Sequence, residues 1–141
     1  MKVAQANRSV TLKKGTIRGL HFQRAPMLEA KFVRCTRGRM LDVAVDMRRG
    51  SKTFLQHYAV ELDGDKGIAI MIPGGFAHGF QTLTDDCEMI YFNSAPYAKE
   101  HEGGFRYDDP ALDIKWPLPV SVISARDLGF APLAAGFEGI T

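Results

Sequence analysis

Arg18, His21, Gln23, Lys31 and Arg34 fall between Gly15 and Gly38, GTIRGLHFQRAPMLEAKFVRCTRG, on what read as two neighbouring strands. Alternate side chains of a strand share a face. His21 and Gln23 therefore point one way and Leu20 and Phe22 the other, while on the next run Lys31 shares a face with Val33. If the two faces meet, an imidazole that takes up a proton near pH 7 lies close to an ammonium that holds negative charge. That pair suits removal of a proton next to a carbonyl. Each residue also has a plainer reading: His21 as a core histidine satisfied by a carbonyl, Lys31 as a side chain that carries its charge out to an edge. Lysine is rarely buried unpaired, and Lys31 sits among Ala30, Phe32 and Val33, which favours a pocket.

The elements that must position these residues are short β runs. Val3 to Leu12 alternates weakly and reads as a rim strand ending at Lys13-Lys14-Gly15. Ile17 to Gln23 and Lys31 to Thr36 are strands separated by a loop around Pro26, since proline removes a ladder donor. Met40 to Met47 alternates Leu41, Val43 and Val45 against Asp42, Ala44 and Asp46, which is strand periodicity with two carboxylates on one face. Phe54 to Leu62 is another alternating run, closed by Asp63-Gly64-Asp65. Gly67 to Ile72 is continuously apolar and reads as a buried strand. Pro73-Gly74-Gly75 turns it into Ala77 to Leu83, and Cys87 to Asn93 follows. Beyond Pro96 the glycines and prolines read as loops until Val120 to Ile123 and a short helical turn from Ser124. Short strands at regular spacing without a long helical period predict an all-β sandwich or jelly roll.

With 141 residues, 45% hydrophobic and 24% charged, one core and a single domain over 1–141 are expected. The 18 basic and 16 acidic side chains leave a net charge of +2. The basic residues are scattered, which argues against nucleic acid as a partner. Arginines crowd the first third, so a small anion such as a phosphate is a plausible ligand. Cys35 and Cys87 lie far apart in apolar runs and read as buried free thiols of a cytoplasmic protein. No apolar run reaches the ~20 residues of a membrane span and the start has no signal-peptide core, so no membrane is expected.

Gly67-x5-Pro73-x-Gly75-x2-His78 resembles the second motif of cupins, a jelly-roll superfamily that often binds metal through histidines. The first motif of that superfamily has two histidines and a glutamate, and here the matching places hold His21, Gln23 and Lys31. A cation in place of the carboxylate leaves two imidazoles, too few to close a catalytic zinc set. No metal is expected, and the pocket reads as one turned toward an anion such as an enolate or a diphosphate.

Longer stretches carry a closer resemblance. Arg-Gly-Leu-His-Phe-Gln at Arg18 to Gln23, Ala-Lys-Phe-Val-Arg at Ala30 to Arg34, Asp-Val-Ala-Val-Asp at Asp42 to Asp46, Pro-Gly-Gly-Phe-Ala-His-Gly-Phe at Pro73 to Phe80, and Ser-Ala-Arg-Asp at Ser124 to Asp127 together resemble the dTDP-4-dehydrorhamnose 3,5-epimerase family of cupin-fold enzymes in deoxysugar biosynthesis. The resemblance implies His21 as the base paired with Asp127, Lys31 as the support of the enolate, and Tyr91 as the proton donor. It implies His78 and Asp42 as lining the sugar site, Arg18 as meeting the diphosphate and Tyr97 as a second pocket tyrosine. It also implies a homodimer and a reaction without cofactor. Without it, Ser124-x-x-Asp127 has the form of a capping box. Tyr91, on a face with Cys87 and Met89, has a packing role as its rival, and His78 could simply follow a Pro-Gly-Gly turn.

Two departures shape the expectations. Family members carry a leading segment with an Asp-x-Arg-Gly-Phe-Phe-x-Glu stretch that contacts the nucleotide across the dimer, and this sequence starts after it. Phe92 also replaces a lysine that follows the tyrosine. Arg18, Lys31, Arg34 and Gln23 are expected to hold the diphosphate and keto-sugar, with little discrimination among nucleobases unless Gln5 and Asn7 rebuild a nucleoside site. The expected activity is 3,5-epimerisation of a nucleotide-linked 4-keto-6-deoxy sugar. Its alternatives are inversion of a single carbon, isomerisation of a keto-sugar, and a sugar-nucleotide-binding subunit without turnover.

Overall fold

Alternation along Met40 to Met47 survives folding: Met40, Asp42, Ala44 and Asp46 face one way, while Val43, Val45 and Met47 face the other, and both sets are buried. Such a strand has to lie in a sheet covered on both faces. In the computed structural model, which describes residues 1–140, the strands are β1 (Gln5–Thr11), β2 (Ile17–Gln23), β3 (Lys31–Arg37), β4 (Arg39–Asp46), β5 (His57–Asp63), β6 (Ala69–Ile72), β7 (Phe76–Thr82), β8 (Cys87–Asn93) and β9 (Glu102–Gly104), followed by one short helix, α1 (Ala125–Leu128). They form two antiparallel sheets, ordered β1-β8-β3-β6 and β5-β4-β7-β2-β9. The fold is an all-β jelly roll with a short helical tail.

One core lies between the sheets and joins Val33, Cys35, Met40, Leu62, Ile72, Phe80, Cys87 and Met89. Cys35 and Cys87 are free and buried there, and burial, with Cys87 close by, pushes the Cys35 thiol up to about 11. The second core lies on the other side of the five-stranded sheet, where Phe105, Leu112, Trp116, Leu133, Phe137 and Ile140 of the C-terminal segment cover Leu20, Phe22, Val43, Val45 and Met47. Among the described residues the four-stranded sheet has no such cover, and Met71 on its outer face stands exposed.

Several elements differ from the sequence reading. Gly67 to Ile72 is not a buried strand: β6 covers only Ala69–Ile72, at a sheet edge with β3 as its one neighbour, so Ile72 turns inward while Ile68 and Met71 face out. Phe54 to Gln56 turns before β5 begins. Val120 to Ile123 forms no strand. The Gly103-Gly104 pair, read as a loop, belongs to β9, which pairs His21 with Gly104 and Gln23 with Glu102. A Cβ on Gly104 would come within 2.2 Å of the Phe130 ring packed over it, so a side chain there would displace that ring.

Candidate active site

The inner faces of the two sheets diverge at one end and enclose a cavity of about 620 Å³. From the five-stranded sheet it is lined by Arg18, His21 and Gln23 of β2 and His78 of β7, with His21 and His78 opposite each other in register. From the four-stranded sheet come Gln5 and Asn7 of β1, Lys31 of β3, and Tyr91 and Asn93 of β8. The faces of His21 and Lys31 therefore do meet, across a shared cavity.

Each imidazole of the five-stranded wall has its own carboxylate. His21 Nε2 lies 2.7 Å from Asp127 Oδ1, and Asp127 Oδ2 accepts from the Gly19 N–H at 3.1 Å. Gly19 adopts a φ of 133°, a conformation that L side chains rarely take, and a Cβ there would meet Gly79 Cα at 2.6 Å. Burial alone would push the Asp127 carboxyl up. The hydrogen bond and charge of His21, the Gly19 N–H and the charge of Arg126 outweigh it, leaving Asp127 below its usual range. A carboxylate on one ring nitrogen fixes the tautomer and stabilises the imidazolium. Nδ1 makes no protein hydrogen bond among the described residues and is free to accept a proton. Phe130 sets its edge against the ring, with centroids 5.9 Å apart.

Ser124 caps α1 by accepting from the Asp127 N–H at 3.1 Å. Half of the capping box thus forms, but the Asp127 carboxylate turns away from the helix to Gly19 and His21. His78 Nε2 lies 2.8 Å from Asp42 Oδ2, with Asp42 fully buried behind it. Asp42 was expected to line the sugar site; it sits one layer deeper and holds His78. Parity along β4 gives it the inner face, but the His78 ring covers it.

The opposite wall is built differently. Lys31 Nζ lies 3.1 Å from Glu29 Oε1. Glu29 Oε2 accepts from Asn93 Nδ2 at 2.8 Å, Asn93 Oδ1 from Asn7 Nδ2 at 3.0 Å, Asn7 Oδ1 from Gln5 Nε2 at 2.9 Å, and Gln5 Oε1 from the Tyr97 N–H at 2.9 Å. Tyr91 is half-buried beside this row. Burial pushes its phenol above the usual range, Glu29 adds to the rise, and Arg18 opposes it.

At the mouth, Tyr97 donates through its hydroxyl to Glu102 Oε2 at 2.9 Å. Arg126 donates to both Glu102 oxygens, at 3.1 and 3.2 Å, and its guanidinium lies beside the His21 ring and the Asp127 carboxylate. Arg18 is exposed at the rim, near Ser9 Oγ and the Val10 carbonyl. Gln23 is buried, its amide donating to the Met27 and Pro96 carbonyls and accepting from the Ala98 N–H, so it braces the loops around the site.

Arg34 does not reach the cavity. Three residues from Lys31 on one strand, it has opposite parity and projects from the outer face, with its guanidinium near Gly67. Glu29, Asn93, Glu102, Arg126 and Phe130 were missed. The first two carried a usable signal, since Glu29 stands two residues before Lys31 and Asn93 two after Tyr91. Among the described residues no group of three or more His, Cys, Asp or Glu side chains could hold a metal ion. None of the helices described is long and apolar enough to cross a membrane.

Residues 1–135 match the family model for dTDP-4-dehydrorhamnose 3,5-epimerase. The dTDP-4-dehydrorhamnose 3,5-epimerase of Sinorhizobium fredii is 46% identical over 126 residues, which are 89% of this chain and 65% of that relative. This chain thus spans a little under two-thirds of that relative's length. The dTDP-6-deoxy-D-glucose-3,5-epimerase of Legionella pneumophila, solved with dTDP-4-keto-L-rhamnose, superposes with a TM-score of 0.85 at 40% identity, over 90% of this chain and 67% of that one. A 3′-monoepimerase of Streptomyces bikiniensis, solved with dTDP-quinovose, gives a TM-score of 0.86 at 36% identity, over 93% of this chain and 66% of that one.

Proposed function

The chain belongs to the dTDP-4-dehydrorhamnose 3,5-epimerase family, and from that premise we propose that residues 1–141 act as one epimerase domain on a dTDP-linked 4-keto-6-deoxy sugar. The observation that carries this reading is the placement of a carboxylate-held histidine and a half-buried phenol on opposite walls of one cavity. His21 takes the proton alpha to the ketone. Lys31 holds the charge that develops on the carbonyl oxygen, an interaction that can lower a barrier by a few kcal/mol. Tyr91, a phenol that is protonated at neutral pH, returns a proton from the other wall and so inverts the centre. His78, held by Asp42, lines the sugar site, and Arg18 at the rim meets the diphosphate. The steps need only acid–base groups and a fixed cation, so no cofactor enters.

A cytoplasmic homodimer completes the proposal. Phe92, Phe32 and Met71 lie in register across the outer face of the four-stranded sheet, with Met1 and Val3 beside them, and a second copy of this face is the occupant that family membership favours. Sedimentation of the wild type as a dimer and of Phe32→Asp as a monomer is the expected result; a monomeric wild type ends that part.

The activity is tested by incubating the protein with the dTDP-4-keto-6-deoxy sugar in heavy water and counting deuterium at the carbons flanking the ketone. Deuterium at both carbons is expected. Deuterium at one makes the protein a single-carbon epimerase, as the likeness to the 3′-monoepimerase would have it, and tight binding without deuterium makes it a binding subunit.

A further inference from the structure

Lys31 carries its charge on a flexible four-carbon stem that does not aim itself. Among the described residues its ammonium has one ion-pair partner, the Glu29 carboxylate at 3.1 Å, and both side chains are nearly buried. Glu29 is also where a one-way chain of hydrogen bonds ends. A carboxylate only accepts, so Asn93 must turn its Nδ2 toward Glu29 and its Oδ1 toward Asn7. Asn7 then turns its Oδ1 toward Gln5, which leaves the Gln5 Oε1 to take the Tyr97 N–H. A backbone donor at the cavity mouth and a carboxylate at its floor thus set the orientation of every amide between them. Gln23 Nε2 adds a longer contact to the same Glu29 oxygen at 3.4 Å.

We propose that Glu29 is a positioning residue for the epimerase: it aims the Lys31 ammonium at the oxygen that becomes the enolate and locks the Gln5–Asn7–Asn93 amides against the four-stranded wall. This role rests on the reading of Lys31 as the enolate support. It also revises the expectation for Gln5 and Asn7, whose facing polar atoms are spent on each other and on the wall. The role is one of reach and hydrogen bonding as much as of charge. A glutamine of equal length still accepts from Lys31 through its Oε1 and loses only the link to Asn93, whose amide the Tyr97 N–H holds in place through Gln5 and Asn7, whereas an alanine leaves the ammonium unheld.

Glu29→Ala is expected to lower kcat about 10- to 100-fold, the scale of misplacing a catalytic group by about 1 Å, while KM changes less than about threefold. Glu29→Gln should recover most of the rate. In a Lys31→Met background, Glu29→Ala should cost less than about threefold more, because the group it aims is already gone. A kcat for Glu29→Ala within about twofold of wild type overturns the role, and so does an equal loss in the Lys31→Met background. If Glu29→Ala fails to fold, Glu29→Asp replaces it, with a loss of about tenfold expected and an unchanged kcat overturning the role. A wild type that exchanges no protons overturns the epimerase reading and this role together, whereas an active wild type matched by its Glu29 variants overturns this role alone.

Discussion

The two walls of the cavity solve different problems. The five-stranded sheet is covered on both faces, and it carries imidazoles that are each backed by a buried carboxylate, His21 by Asp127 and His78 by Asp42. The four-stranded sheet has one open face, and it carries a phenol, an ammonium and a row of amides that ends on Glu29. A group that must gain and lose a proton has to keep its tautomer and position throughout, and packing on both sides of β2 supplies that rigidity. The other wall presents the Tyr91 phenol and the Lys31 ammonium beside a row of side chains held by hydrogen bonds to one another. The division teaches that the site has a stiff half built from packing and a tunable half built from polar contacts.

The sharpest way to break the stiff half is His21→Ala. Solvent deuterium incorporation should fall by about 10³-fold or more with the melting temperature little changed; equal exchange in the variant would end the assignment of the base. Leu20→Ala, in the core beneath the same strand, should cost about 3 kcal/mol in a urea titration, since Leu20 is fully buried against the C-terminal cover. On the tunable half, Tyr91→Phe should keep exchange at one carbon and cut net inversion about 100-fold, read by NMR of the product. Inversion at the native rate would reduce Tyr91 to packing.

Acid probes the five-stranded half through its buried carboxylates. The Asp127 carboxyl, depressed by its His21 and Gly19 bonds despite burial, and Asp46, depressed by Arg48, Ser51 and Thr53, both belong to the five-stranded side. A group whose folded pKa lies below its unfolded value of about 3.9 contributes stability that is present above that pH and lost as pH falls through the folded value. The urea midpoint should therefore drop below about pH 4, and the drop should be shallower in Asp46→Asn, at the cost of lower stability at pH 7. An unchanged slope would show that these carboxylates do not set the acid limit. The smallest effect belongs to the open face: Met71→Ala should change stability of the isolated subunit by less than about 0.5 kcal/mol, and a larger loss would mean the face is covered.

Where local alternation and turn signals decided, the elements were legible. Ile17 to Gln23 and Cys87 to Asn93 have the same bounds in sequence and structure, because tight turns bracket them and apolar residues alternate inside. β6 misled because composition suggests burial, whereas an edge strand is defined by the neighbour it lacks, which no local pattern encodes. β9 was hidden because glycine pairs read as breaks, while here the absent side chain makes room for a distant ring, Phe130. Parity put Lys31 and His21 on facing walls and would have put Arg34 outside, had its charge not been given more weight than its register. Asp42 shows the complementary gap: alternation assigns a face but not a depth. Glu29 was legible in its parity with Lys31, whereas Arg126 emerges only once α1 is brought against β2 in space.

The bond between His21 and Asp127 joins residues 106 positions apart. During synthesis, at roughly 5 to 20 residues per second, a nascent chain holds its imidazole for about 5 to 20 s before the carboxylate that fixes its tautomer has been made. The Phe130 edge and the cover over Leu20 and Phe22 arrive later still. Competence for proton transfer thus arises only once residue 127 has been made, and a chain cut short before it has the base but not the means to aim it.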